Sequence, residues 1–299
     1  VGVDKICSPS PPPSPARGEG DIRIHMNLFW WKEKPLKTIW KVEKAGTASF
    51  LVGTAHFSPY SFKKSLTRLI QDVETVLFEG PLDEESMARV VQYGRQGENA
   101  PSLYKALQPA AMKEINRRLS THSGGSSRAD SYLDMLHVTV SDPLEELARG
   151  VRPWMTFFTI WSAFLSWKYS MDMEAFHIAQ KLGKKIQYLE SIEDQLAALD
   201  GIPFERIVNY LNHIKSWRVH KELFKKAFLE GDIQQFYSMT GEFPTRCESI
   251  LTKRDPIFFK GIQASFKVGR AVAFVGVAHL PGIRKSFLEE GYHVTQDAS

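Results

Sequence analysis

Cysteine is nearly missing from the 299-residue chain, which has only Cys7 and Cys247. Two thiols cannot build a disulfide framework or a cysteine-rich metal centre, and such scarcity fits a reducing compartment, so a cytoplasmic location is expected. An excess of one charge is missing too. The formal charge is +4, from 38 basic and 34 acidic residues interleaved along the chain, which leaves no electrostatic footprint for nucleic acid. Long apolar runs are also lacking. The longest, PWMTFFTIWSAFLSW from Pro153 to Trp167, has fifteen residues, whereas a membrane-spanning helix needs about 20. It is expected to be a buried core helix with Trp154, Trp161 and Trp167 packed inside, rather than a membrane span or the wall of a peptide groove. Neither the first residues nor the stretch from Met26 has the pattern of a secretory signal.

What the chain does have is enough apolar material, 43%, for one large core or one core with a helical insert. The tract CSPSPPPSPARGEG, Cys7 to Gly20, cannot pack. Residues 1–25 are therefore expected to be a disordered extension that is not native, with Met26 as the true start and 26–299 as a single domain. Within it, KTIWKVEKAGTASFLVG reads as a β-hairpin turning at Ala45 and Gly46, SFKKSLTRLIQDV as a helix, and TVLFEG as a short strand. Helices follow over Asp83–Tyr93 and Leu103–Leu119, the second interrupted at Pro109, and STHSGGSSRADS reads as a flexible loop. The pattern is helical from Asp142 until Gly183, then KKIQYLES forms a strand, and four or five helices fill Ile192–Lys267. A strand over Ala271–Val275, a helix from about Pro281 to Glu290 and the strand YHVT complete the chain. The expected class is α/β: a mixed β-sheet flanked by helices, with a largely helical middle insertion at about 83–182 and 192–267.

Two stretches repeat a pattern at opposite ends of the domain: SFLVGTAH ends in His56 and AVAFVGVAH ends in His279. Chance alone supplies about 0.6 Gly-x-x-His matches for this composition, so the weight lies in the context. Each match follows an apolar strand and carries alanine before the histidine, and Glu79 and Glu190 end two other strands. Functional groups of open α/β sheets gather at the carboxyl ends of strands, so these four side chains are expected to share a cleft. Each glycine would serve a positive-φ turn or a close backbone approach. Two imidazoles and two carboxylates suit Zn²⁺, Mn²⁺ or Co²⁺, with an open position for water and a spare carboxylate as general base. The same residues also allow a metal-free site, in which a histidine is the base and a glutamate orients it.

The ordered set GTAHFS, VETVLFEG, RPW at Arg152–Trp154, MDMEAFHIAQKLGKKIQYLESIEDQL, FLEGDIQQF, LTKRDPIFF and VGVAHLPGI resembles the TraB/GumN family, over about Ile39 to Val294. That family includes the pheromone-shutdown proteins and the Tiki proteases, which depend on Mn²⁺ or Co²⁺. The resemblance implies a metal-dependent hydrolase acting as a peptidase, with His56, Glu79 and His279 as metal ligands or catalytic groups and Glu190 as a fourth or supporting ligand. Arg254 would bind a substrate carboxylate or stabilise an oxyanion, unless it is only an ion-pairing arginine. Asp172 is read as a helix cap, with orientation of a histidine as its other possible role, and Asp232 as an N-cap. The motifs also place Gln195. Asp255 stands where the family usually has asparagine, and Ser191 where it has threonine.

His213 and His220 flank a basic, amphipathic helix and are read as solvated. Three classes of function follow: a metallopeptidase, a protein that sequesters a peptide, metal or haem without turnover, and a metal-assisted esterase. The partner in each case is a peptide or small molecule.

Overall fold

The computed structural model describes residues 34–122 and 142–297. The proline-rich tract, Cys7, Met26 and positions 123–131 of the Ser/Gly stretch lie outside these residues, while its first three residues continue a helix that ends at His122. The hairpin forms as its sequence predicts: β1 (Ile39–Lys44) and β2 (Thr47–Thr54) pair antiparallel from Lys44↔Thr47 to Ile39↔Val52. Ala45 and Gly46 both take positive φ, 51° and 82°, the backbone a two-residue hairpin loop requires. The remaining strands are β3 (Thr75–Phe78), β4 (Lys185–Tyr188), β5 (Ala271–Gly276) and β6 (His293–Gln296).

These six strands make one mixed sheet in the order β4-β3-β5-β2-β1-β6. The first four in that order run parallel, and β1 and β6 close one side by antiparallel pairing. All six residues of β5 are buried; a parallel strand covered on both faces reads as a continuous apolar run for that reason.

The helices, in chain order, are α1 (Lys63–Gln71), α2 (Glu84–Gly94), α3 (Leu103–Ala106), α4 (Pro109–His122), α5 (Pro143–Ala148), α6 (Pro153–Leu165) and α7 (Met171–Lys181). After β4 come α8 (Ile192–Asp200), α9 (Phe204–Asn212), a 3₁₀ turn, α10 (Trp217–Glu230), α11 (Ile233–Met239) and α12 (Asp255–Val268), and α13 (Leu280–Glu289) joins β5 to β6. The class is α/β, a mixed sheet flanked by helices. Pro109 opens α4 instead of interrupting a helix, because the break falls at Leu107 and Gln108 and proline is tolerated in a first turn. Several starts are capped by the residues their sequence offers: Asp83 accepts from Ser86, Asp232 from Gln235, and Ser191 with Asp194 forms a capping box.

Burial is organised around two apolar clusters. One fills the sheet and the helices against it, with Leu51, Val76, Phe78, Phe258, Phe274 and Phe287 among its most buried members. The other lies among α3–α6, α8, α9 and the start of α10 and centres on Phe157, Trp161, Tyr210 and Trp217. Trp154, Trp161 and Trp167 are all buried, at 4%, 6% and 9% exposure. Among the described residues no helix is long and apolar enough to cross a membrane.

Candidate functional site

The two Gly-x-x-His stretches lie side by side. β2 pairs with β5 so that Gly53 faces Val275 and Thr54 faces Gly276, which delivers His56 and His279 from neighbouring strand ends. Glu79 follows β3 directly. Glu190 lies two residues past β4, where its own N–H donates to the Glu79 carbonyl at 2.9 Å. One residue from each of four adjacent parallel strands thus arrives at one edge of the sheet. Neither motif glycine has positive φ, so close approach is the reason for both. A Cβ on Gly53 would lie 2.3 Å from the Leu280 side chain, and one on Gly276 would lie 3.2 Å from Glu79 Oε1 and 3.7 Å from His56 Nε2.

Each imidazole is held by its own aspartate. His56 Nδ1 donates to Asp172 Oδ2 at 2.8 Å, and His279 Nδ1 donates to Asp255 Oδ1 at 2.6 Å. An ionised carboxylate only accepts, so Nδ1 of each ring is the donor and Nε2 is left as the nitrogen available to a ligand. Asp172 is therefore not a helix cap: Ser170 caps α7, accepting from Met173, and leaves Asp172 in the first turn to orient His56. Asp255, at the start of α12, was not among the expected site residues; its one sequence signal was the departure from asparagine beside Arg254. Gly282 makes room for it, since a Cβ there would stand 2.0 Å from Asp255 Oδ2.

Arg254 occupies the centre of the acidic pair. Its Nε and Nη2 form a fork on Glu190 at 2.8 and 2.6 Å, and Nη2 also donates to Glu79 Oε2 at 2.9 Å. Nη1 has only long contacts, at 3.5 Å to the Ile250 carbonyl and to His279 Nε2. The other Glu79 oxygen accepts from the Gly276 N–H at 2.6 Å and lies 3.6 Å from His279 Nε2.

The electrostatics separate the two glutamates. Burial works to raise Glu79, but His279, Arg254, His56 and the Gly276 N–H bring its pKa down to about 2. Glu190 is pushed above the usual carboxylate range by burial and by Glu79, despite Arg254. His56 is pushed down by the walls around it and pulled up by Asp172 and Glu79, and the balance lies at about 9. Its ring nonetheless protrudes into the cleft, with 64% of the side chain accessible.

A metal ion fits this set in donor chemistry. Each histidine has a carboxylate on Nδ1, the arrangement that orients metal-ligating imidazoles, and the ionised Glu79 lies 3.6 Å from His279 Nε2. The hydroxyl of Thr54 is buried at the same strand end without a hydrogen-bond partner in the structure. The spacing is less complete. Among the described residues no three His, Cys, Asp or Glu side chains are grouped closely enough to hold one ion. Both oxygens of Glu190, expected as a ligand, are engaged by the Arg254 fork.

The site opens into a cleft of about 1010 Å³, solvent included, between the sheet edge and the helices. Phe158, Trp161, Trp167, Phe224, Phe236 and Phe243 line it, with Arg246 at one side. Trp161 and Trp167 are thus both core residues and cleft wall. His213 is exposed, bonded to the Asn209 carbonyl one turn back, and His220 stacks near Tyr210; neither reaches the site. The RPW stretch lies elsewhere too, with Arg152 and Trp154 both bonded to Asp200 of α8.

The model of the TraB/PrgY/gumN family matches residues 38–296. No curated protein matches the chain. With nearly all of the described fold inside that match, the chain belongs to the TraB/PrgY/gumN family.

Proposed function

We propose that this TraB/PrgY/gumN family member is a metal-dependent hydrolase acting as a peptidase, with His56 Nε2, His279 Nε2 and Glu79 as the residues that hold a divalent ion. One observation carries the reading: two imidazoles on adjacent strand ends, each held through Nδ1 by its own aspartate, present Nε2 toward one ionised glutamate. When bound, Mn²⁺, Co²⁺ or Zn²⁺ supplies Lewis acidity and a lowered water pKa.

The chain's own residues do the rest. Asp172 and Asp255 fix the tautomer and the direction of the two rings. Glu79, ionised far below neutral pH, stands ready to ligate or to accept a proton. Glu190 anchors Arg254, so that Nη1 faces His279 and meets negative charge developing on a substrate carbonyl oxygen. A bound ion would share Glu79 with Arg254, whose Nη2 donates to Oε2 at 2.9 Å.

The place of Arg254 inside the donor set also favours a second reading, in which the cleft sequesters a ligand without turnover. Metal analysis of the purified chain after Mn²⁺ or Co²⁺ loading, followed by a peptide-library digest, separates the two. Hydrolysis predicts bound metal and cleavage that His56→Ala and His279→Ala each abolish. Absence of both would leave sequestration as the function.

A further inference from the structure

Arg246 makes no ion pair with a carboxylate among the described residues, although it sits in the wall of the cleft beside its aromatic residues. Its Nε and Nη2 donate to Thr240 Oγ1 at 3.0 and 2.6 Å, and Nη1 donates to the Ala278 carbonyl at 3.2 Å. A guanidinium has five N–H donors, so two have no acceptor in the structure. The Tyr237 ring packs 4.2 Å from its Cζ. Burial brings its pKa down to about 10, against the pull of Tyr237 and Asp255, which leaves it charged at neutral pH.

A partly desolvated cation with no carboxylate in ion-pair contact is costly to keep unless an anion joins it. Arg254 cannot take that part, because its fork is already closed on Glu190 and Glu79. The anchor for a substrate carboxylate, expected at Arg254, is therefore free at Arg246. It also touches the second Gly-x-x-His motif, through the residue next to His279. Around it stand Phe236, Phe243 and Trp161, which offer apolar surface and no further charge.

We infer that the cleft binds amphipathic carboxylates, with the anionic head on the open N–H groups of Arg246 and the apolar body along the aromatic wall. Two sources share that chemistry: the free C-terminus of a short apolar peptide, and a fatty acid. The inference rests on the reading of this cleft as the substrate site. It does not depend on turnover.

The full chain is titrated in EDTA, with the fluorescence of Trp161 and Trp167 reporting occupancy. The probes are an N-acetylated tripeptide of apolar residues as free acid and as C-terminal amide, and decanoate with decanamide. A charge-assisted fork predicts that at least one acid binds about tenfold tighter than its amide. Arg246→Gln erases that preference, weakening the acid far more than the amide. Tighter binding of the peptide acid identifies a peptide source, and tighter binding of decanoate a lipid source. Equal binding of acid and amide in both pairs, no binding of any probe, or an acid preference that survives in Arg246→Gln overturns the inference. If the variant does not fold, equal binding of acid and amide on the unmodified chain still overturns the inference. A metal-loaded chain that binds acids but cleaves nothing would sink the hydrolase reading alone.

Discussion

At His56 the forces on one proton oppose each other, and the outcome sets a pH dependence. The ordinary value of 6.5 rises to about 9 because Asp172 and Glu79 outweigh the loss of solvent. A folded-state pKa above the unfolded one stabilises the metal-free chain fully below about 6.5, and that contribution is lost as the pH climbs through about 9. Glu79 acts in the other direction: with its ordinary 4.5 lowered to about 2, its contribution is present above 4.5 and lost as the pH falls through 2. In EDTA the melting temperature is expected to be highest between these limits and to decline on both sides. The alkaline decline will be small, because the ring is largely accessible and solvent screens the pair. Asp172→Asn should flatten the alkaline side only; an unchanged decline in that variant would refute the assignment. An ion claims the same ring nitrogen as the proton. Mn²⁺ affinity should therefore climb by up to about tenfold per pH unit from neutral pH toward 9, measured by titration calorimetry.

Elements position the aspartates that the histidines need, and one glycine guards one of those contacts. On α13, Gly282 faces the first turn of α12 so closely that an added Cβ would lie 2.0 Å from Asp255 Oδ2. Gly282→Ala should swing the carboxylate off His279 Nδ1. The aspartate is short and can rotate away, and alanine favours a helix by about 1 kcal/mol over glycine, so little change in melting temperature is expected. Metal affinity and peptide cleavage should fall about 10- to 100-fold. Gly241→Ala, with nothing closer than 3.9 Å, serves as the neutral control. If Gly282→Ala keeps full activity, Asp255 does not act through His279. The same contacts show what a sequence can and cannot disclose. His56, His279 and Glu79 were legible because each ends an apolar run, and strand ends are where an open sheet collects its polar groups. Asp255 was not, and Asp172 reads first as a cap with orientation of a histidine only as its alternative, since an aspartate in a first helical turn has an ordinary local use as a cap. Their partners lie 24 and 116 positions away. The hairpin was readable from Ala45 and Gly46, whereas the pairing of β6 with β1 joins opposite ends of the domain without any local signal.

Across the whole molecule, the cleft lies where two separately built cores meet. The histidines and Glu79 come from strand ends rooted in the sheet core, through Leu51, Phe78 and Phe274. The facing wall belongs largely to the helical core, where Trp161 packs against Trp217 at 5.0 Å, Phe243 at 5.3 Å and Phe164 at 5.8 Å. Arg246 escaped notice in the sequence for a related reason: a loop arginine looks solvated until the fold sets it against an aromatic wall. Damage to one core should then affect one half of the site. Trp161→Leu removes buried aromatic surface and its edge contacts, at a cost of about 2–4 kcal/mol. It should weaken binding of apolar acids by tenfold or more while Mn²⁺ affinity stays close to that of the unaltered chain. Phe274→Ala, in the central strand between β3 and β2, carries a comparable packing cost of about 3–5 kcal/mol but falls under the ligand set, so it should weaken metal binding as well. Calorimetric titration of both variants with the ion and with an apolar acid measures the two halves independently. Parallel loss of ion and acid binding in Trp161→Leu would mean that the strand ends do not hold their geometry without the helical wall, and that the two cores act as one.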